Sequence, residues 1–335
     1  MKIKSFIGID VSKATLDLCL VEHGRVLDQI QTSNSLIGIR KAFTRFKKQF
    51  DVNPENCCCC MEHTGIYNHF LLEFLWSKKY AIWLERPMQI KLSIGMTRGK
   101  NDKIDAVRIA QYAFKNQLDC KLWEPERDVV RDLKSLLTIR ARFINAKKQL
   151  SVPLREMQQF TSSKTGKLAE KLSGKAIKSL TTQIEETEIK IAELINSDER
   201  LKELFTIIKS VDGVGPIVAA QMIAKTNEFK SFTDPRKFAC YAGIAPFEYQ
   251  SGTSIRGKMR VSHMANKTMK SLLHLAAMAA VVAKGEMQEY YKRKVSEGKN
   301  KMSVINAVRN KLIGRIFAVV KRNEVYQKNY QLTLA

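Results

Sequence analysis

Four carboxylates, Asp10, Glu62, Asp102 and Asp105, are the residues from which a chemical reading of this sequence starts. Asp10 closes the apolar run Phe6-Ile-Gly-Ile-Asp10, and Glu62 closes a second run, Cys57-Cys-Cys-Cys-Met61, just before His63-Thr-Gly65. A carboxylate at the carboxyl end of a buried strand stands where α/β sheets present their ligands. It must reach solvent or meet a cation, because burying it unpaired is costly. Asp102 and Asp105 open a helix-periodic stretch within Arg98-Gly-Lys-Asn-Asp-Lys-Ile-Asp-Ala106, and their i, i+3 spacing puts both on one face of its first turn. Singly, a strand-end turn or ordinary N-capping explains each; the combination is more specific than its parts. Together they read as a DEDD set for Mg2+, a hard cation that takes oxygen ligands. Paired ions of this kind activate a nucleophile and stabilise a leaving oxygen in phosphoryl transfer. His63 reads as a neighbour with polar partners rather than as a metal ligand.

Further along, Ile207 to Ala220 reads as an apolar helix, the turn Asp212-Gly-Val-Gly-Pro216 and a second helix, a helix-hairpin-helix pattern. Gly213 and Gly215 let backbone N–H groups approach a phosphate there, and the second helix start favours an anion. Ser251 follows in Tyr249-Gln-Ser-Gly-Thr-Ser254, with Arg256, Lys258 and Arg260 at alternating positions behind it. A serine hydroxyl is a poor nucleophile unless a base or metal activates it and cations stabilise the developing charge. On residue chemistry alone, Ser251-Gly252 is a turn and the three cations are phosphate contacts.

The elements that must position these groups divide the chain in three. Over residues 1–125 the spacing predicts strands at Lys4–Ile9, Thr15–Val21, Arg25–Gln31, Cys57–Met61 and Tyr80–Leu84, with helices at Leu36–Phe50, Tyr67–Ser77 and Lys103–Asn116. This is an α/β domain opened by a β-meander. Residues 126–200 carry apolar positions at helical spacing among charges, an antiparallel pair of long helices of coiled-coil character. Pro153 and Ser162 to Gly166 are its expected breaks, the latter the turn. Residues 201–335 read as a mostly helical domain.

Composition sets the partners. The 335 residues hold 57 Lys and Arg against 33 Asp and Glu, a net charge of +24. Of this, +13 lies between Ser251 and Arg322, where 16 basic residues face 3 acidic ones. Such a surface attracts polyanions and releases their counterions on binding, so nucleic acid is the leading partner. The longest apolar run, Leu272 to Ala283, is interrupted by His274 and is far shorter than the roughly 20 residues that cross a bilayer. The first ten residues carry no signal-like core, and the expected place is the cytoplasm, without membrane attachment. Seven cysteines lack any zinc-like spacing; four are consecutive, Cys57 to Cys60, and read as small apolar residues in a buried strand.

With these residues in view, the chain resembles the insertion-sequence-110 family of bacterial transposases, including its 1111 branch. The resemblance rests on Ile9-Asp-Val-Ser-Lys13, Glu62-His-Thr-Gly65, Lys100-Asn-Asp-Lys-Ile-Asp-Ala106, Val211-Asp-Gly-Val-Gly-Pro216, Phe232-Thr-Asp-Pro-Arg236, Tyr241-Ala-Gly-Ile-Ala-Pro246 and Ser251-Gly252. It implies a RuvC-type RNase H-like domain holding Mg2+ on the DEDD set, and Ser251 as the nucleophile that forms a covalent phosphoserine with DNA. It also implies a homo-oligomer built through the helical connector, with the carboxylate domain of one subunit meeting the serine domain of another. A structured guide RNA that pairs with donor and target DNA is the further implied partner. The sequence departs from the family pattern at Val261-Ser-His-Met-Ala-Asn266, where His263 replaces a usual cation and Ala265 a usual glycine.

Three other readings compete. A junction-resolving nuclease would use the carboxylates to activate water and leave Ser251 structural. An actin-like sugar kinase is suggested by Gly8-Ile-Asp-Val-Ser12, but no second glycine-rich phosphate motif is correctly placed. A noncatalytic RNA-binding protein would need a decayed carboxylate set, and all four carboxylates are present.

Overall fold

The computed structural model describes residues 3–94, 102–160, 164–251, 255–261 and 265–328, the side chains of 94, 158, 248–251 and 255–260 excepted. The chain forms two compact units, Met1–Pro125 and Glu126–Ala335.

The first unit is built on a mixed five-stranded sheet in the order β3-β2-β1-β4-β5. Strands β1 (Ser5–Val11), β2 (Thr15–Glu22) and β3 (Arg25–Ser33) are the meander, while β4 (Cys57–Glu62) and β5 (Ala81–Glu85) add parallel to β1. Strands buried on both faces read as continuous apolar runs. That is why four successive cysteines suffice for β4, where each thiol is free and buried and burial pushes Cys59 and Cys60 up.

Helix α1 (Leu36–Phe50) starts where Ser35 accepts from the Gly38 N–H (3.2 Å) and buries Ile39, Ala42, Phe43 and Phe46 at helical spacing. It ends at Asp51, in the left-handed conformation. Helix α2 (His69–Ser77) shares with α1 the core face that contains Met61 and Leu16. Helix α3 (Pro87–Ile94), opened by a proline, is one that spacing does not predict. Helix α4 (Asp102–Lys115) covers the opposite face of the sheet.

The contact of α4 with β1 is backbone on backbone. A Cβ built on Gly8 would lie 2.2 Å from the Ala110 nitrogen and 2.3 Å from the Ala106 carbonyl oxygen. No side chain fits there, and Ala106 and Ala110 supply the matching small positions on the helix. Gly8→Ala therefore has to push α4 off the strand. We expect a loss of about 2–3 kcal/mol in chemical denaturation, the scale of overpacking a tight core, together with loss of activity, because the same helix carries Asp102 and Asp105.

The second unit opens with helices α5 (Asp128–Phe160) and α6 (Lys164–Asn196). They run antiparallel: Arg140 pairs with Glu188, while Val130, Leu133 and Leu137 share a core with Ile191 and Ile195. That core is the unit's own, so the base of the expected connector is part of the C-terminal body. Pro153 lies inside α5 rather than ending it. Its ring deprives only the Gln149 carbonyl of a helical donor, on an exposed stretch where solvent satisfies it. The expected turn at Ser162 and Ser163 lies outside the described residues, and Lys164, Thr165 and Gly166 are already helical.

Helices α7 (Glu199–Lys209), α8 (Pro216–Thr226), α9 (Pro235–Tyr241), α10 (Lys267–Val282), α11 (Glu286–Ser296) and α12 (Lys301–Arg322) make the rest of this body. Asp198, Asp234, Asn266 and Asn300 cap four of them through side-chain oxygens. Buried Glu228 ties the body to the start of α5, accepting from Arg127 (2.7 Å) and pairing with Arg200 (3.1 Å). Between α9 and α10, where a Ser251-Gly252 turn in a mostly helical domain was expected, lies a β-hairpin: β6 (Phe247–Ser251) pairs antiparallel with β7 (Ile255–Arg260).

Candidate active site

Asp10 is the penultimate residue of β1, and β4 runs beside it in parallel with Ile9 opposite Met61. The next step of that register brings Glu62 out at the same sheet end, on the same face. Across β1 on its other side Asp10 is paired with Asp17 of β2, and Glu62 is paired with Glu85 of β5. Four carboxylates thus form one row across β2, β1, β4 and β5, on the face that α4 covers. The Gly8 contact seats α4 so that its first turn, with Asp102 and Asp105, begins at this row.

Two residues of the row are held from the sides. Asp17, only 4 % exposed, accepts from the Gln31 amide through both oxygens (3.2 and 3.1 Å). Glu85 accepts from the Trp83 indole (3.2 Å), the Tyr112 hydroxyl (3.3 Å) and the Arg86 N–H (2.7 Å). Burial and the Glu85 charge push the Tyr112 phenol up to about 12. The loops leaving the strand ends are also pinned. The Asn34 side-chain amide donates to the carbonyls of Ser12 (2.8 Å) and Tyr67 (3.0 Å). Buried Asn68 donates to the Glu62 carbonyl (3.0 Å) and accepts from the Thr64 N–H (2.7 Å) and hydroxyl (2.8 Å). His63 has a local partner, its Nδ1 accepting from the Gly65 N–H (3.3 Å).

The electrostatics follow from this crowding. Burial pushes the Asp10 carboxyl up to about 6, and the charges of Asp102, Asp105, Glu62 and Asp17 add to the rise. Burial also raises Glu62, with Asp105 adding to it. The other three predicted carboxylates are therefore within electrostatic reach of Asp10, and Arg108 offsets part of the charge by donating to Asp105 (2.7 Å). Among the described residues no three acidic, His or Cys side chains converge closely enough to enclose one ion. Mg2+ asks for less than that. It keeps several waters and is commonly held by one or two carboxylates plus substrate phosphates, so a set of hard oxygens repelling one another fits it in kind.

In the second unit Ser251 is the last residue of β6, paired with Ile255, and Gln250 is opposite Arg256. Positions 256, 258 and 260 share the two-residue period of β7. The side chains of Ser251, Arg256, Lys258 and Arg260 lie outside the described residues, as do Gly252 and His263. The two glycines between α7 and α8 differ in character. Gly213 has φ +86°, and a Cβ on it would lie 2.6 Å from the Ala276 carbonyl oxygen, so packing against α10 accounts for it. Gly215 caps α8 with open space around it.

Comparison with known proteins finds matches in both units. Residues 7–161 match the DEDD transposase domain family of IS110 elements, and residues 205–292 match the Transposase IS116/IS110/IS902 family. Both matched stretches are similar to transposase domains of the IS110 group. The pilin gene-inverting protein of Moraxella bovis is 27% identical over 331 residues, 97% of this chain and 98% of that one. The transposase for insertion sequence element IS1111A of Coxiella burnetii is 23% identical, covering 98% of this chain and 92% of its own length. Among solved structures, Thermus thermophilus RuvC in complex with a Holliday junction substrate matches 36% of this chain and 99% of its own, at 15% identity and a TM-score of 0.29. No helix among the described residues is long and apolar enough to cross a membrane.

Proposed function

We propose that this transposase-domain protein is a Mg2+-assisted DNA recombinase that excises and inserts an insertion sequence, with Ser251 as its nucleophile and a structured noncoding RNA as its guide. The observation that carries the reading is the gathering of Glu62, Asp102 and Asp105 around Asp10 at one sheet end, where the charge of each adds to the burial that raises the Asp10 carboxyl. The domain matches support a DNA-processing enzyme, and a full-length relative named for inverting a gene supports site-specific rearrangement of DNA.

Asp10 and Glu62, with Asp102 and Asp105 directly or through water, would hold Mg2+. When bound, the ion supplies charge neutralisation at phosphate oxygens. The Ser251 hydroxyl attacks the phosphorus, its Oγ–P bond forms as the P–O bond to one deoxyribose breaks, and the proton lost by serine ends on the departing oxygen. One phosphodiester replaces another, so the strand can be rejoined by the reverse step without an energy source. Arg256, Lys258 and Arg260 serve the phosphate backbone, as does the N–H group at Gly215, which has open space around it. The charge of +24 is consistent with holding RNA beside DNA. Leu150, Val152, Phe160, Leu168 and Leu172, all exposed on α5 and α6, suit this helical pair to homo-oligomerisation.

The test is recombination by the full-length protein on DNA carrying the element's ends, with Mg2+, with and without RNA transcribed from the element's noncoding flank. Recombination that needs both the ion and the RNA is the expected result. Equal recombination without RNA overturns the guided reading. Cleavage of junction DNA with no rejoined product would instead make the protein a junction-resolving nuclease.

A further inference from the structure

Arg309 of α12 is a buried cation, 6 % exposed, and no carboxylate among the described residues pairs with it. Its Nη2 donates to His274 Nδ1 of α10 (2.7 Å), which places the ring proton of that histidine on Nε2. Its Nη1 makes a long contact of 3.5 Å with Asn306 Oδ1, and its Nε has no partner. A lone buried guanidinium is expensive, and replacing such charges with apolar groups of similar volume is often neutral or stabilising. Stability is therefore a poor reason for its presence.

Orientation is a better one. An arginine only donates, so the amide of Asn306 must turn its oxygen toward Arg309 and its nitrogen away. That nitrogen donates to the Ile244 carbonyl at 2.9 Å. Ile244 lies in the segment between α9 and β6, three residues before the strand that ends in Ser251. The return segment after β7 is tied in the same region. Asn266 gives its backbone N–H to the Tyr241 carbonyl (2.8 Å) and its side-chain amide to the Tyr241 hydroxyl (2.8 Å). Gly243, at φ +66°, lies so close to Ala265 that a Cβ on it would stand 2.4 Å from the alanine Cβ. The two segments flanking the hairpin are thus fixed to one another, and the leading one to α12.

We propose that Arg309 and Asn306 are positioning residues for the nucleophile: the buried guanidinium orients Asn306, which holds the segment leading into the Ser251 hairpin against α12. The inference rests on the reading of Ser251 as the attacking residue.

The experiment compares the full-length wild type with Arg309→Met, Asn306→Ala and the double variant. Three quantities are read: thermal denaturation, DNA binding, and the initial rate at which a denaturation-resistant protein–DNA adduct forms in Mg2+. Arg309→Met is expected to melt at or above the wild-type temperature and to bind DNA within about twofold. Its adduct rate should fall about tenfold or more, the scale of a small misplacement of a reacting group. The double variant should be no slower than Asn306→Ala, because the two residues act through one bond to Ile244. Adduct formation by Arg309→Met at the wild-type rate overturns the proposal. So does a rate that falls only in step with lost stability. Should Arg309→Met fail to fold, Asn306→Ala decides: a wild-type rate overturns the proposal and a slowed rate in a stable protein upholds it. A wild type that cleaves DNA without any adduct shows instead that the serine reading itself is wrong, and this inference falls with it.

Discussion

Asp10→Asn is expected to melt at a higher temperature than the wild type at pH 7.5 and to lose recombination. The two effects have one cause, the crowding of negative charge at the end of β1. The Asp10 carboxyl is raised to about 6 in the fold against 3.8 in its ordinary state, by burial first and by the charges of Asp102, Asp105, Glu62 and Asp17 after it. A carboxyl with a raised value binds protons more tightly in the folded chain, so its ionisation opposes folding. The cost is absent below pH 3.8, develops between 3.8 and 6, and is fully present above that. At full strength the shift corresponds to about 3 kcal/mol, and for a half-buried group solvent screening leaves about 1–2 kcal/mol. The asparagine removes that cost, so the gain in stability should be present at pH 7.5 and vanish near pH 3.5. Mg2+ should raise the melting temperature of the wild type and leave that of the variant nearly unchanged, as expected for a ligand that binds only the folded wild type. Recombination should fall at least about 100-fold, since a metal-binding carboxylate matters more than the outer groups whose loss costs 10–100-fold. A variant that is no more stable at pH 7.5 and recombines normally would remove Asp10 from the site.

Ser251→Ala is the second large effect and has a different signature. Nothing in the first unit changes, so melting and the response to Mg2+ stay as in the wild type. DNA binding is expected within about twofold, because phosphate contacts and charge carry affinity and a single hydroxyl does not. Recombination should drop at least about 1,000-fold, the order seen when a covalent nucleophile is removed. Gel analysis under denaturing conditions reads the outcome directly. If the alanine variant still cuts DNA at the wild-type rate, the carboxylates activate water and Ser251 is structural.

How far these sites could be read from the chain varies with the physics of each element. Buried strands with apolar runs, such as the one ending in Asp10 and the cysteine strand ending in Glu62, were legible because burial on both faces leaves a continuous signal. Helix α1 was legible to the residue, since Ser35 and the spacing of Ile39, Phe43 and Phe46 mark its start and its face. Asp17 was not. In Thr15-Leu-Asp-Leu-Cys-Leu20 it alternates with leucines and resembles the solvent side of an edge strand, whereas α4 covers that side and buries it. Glu85 is hidden for a related reason: its importance comes from its register with Glu62 across β4 and β5, which no local pattern encodes. The Ser251 hairpin had a visible signal, the two-residue period of Arg256, Lys258 and Arg260, but alternating cations fit phosphate contacts equally well. Gly213 shows the converse, a glycine suggestive of phosphate approach whose tight packing on α10 is visible only in three dimensions.

The most direct measurement is to locate the bond between protein and DNA. The adduct formed in Mg2+ is digested with protease and nuclease, and the peptide that retains a nucleotide is sequenced by mass spectrometry. The account predicts a single modified peptide carrying the phosphate on Ser251, formed by the wild type and absent from Asp10→Asn. A nucleotide on any other residue, or cut DNA with no nucleotide left on the protein, contradicts it.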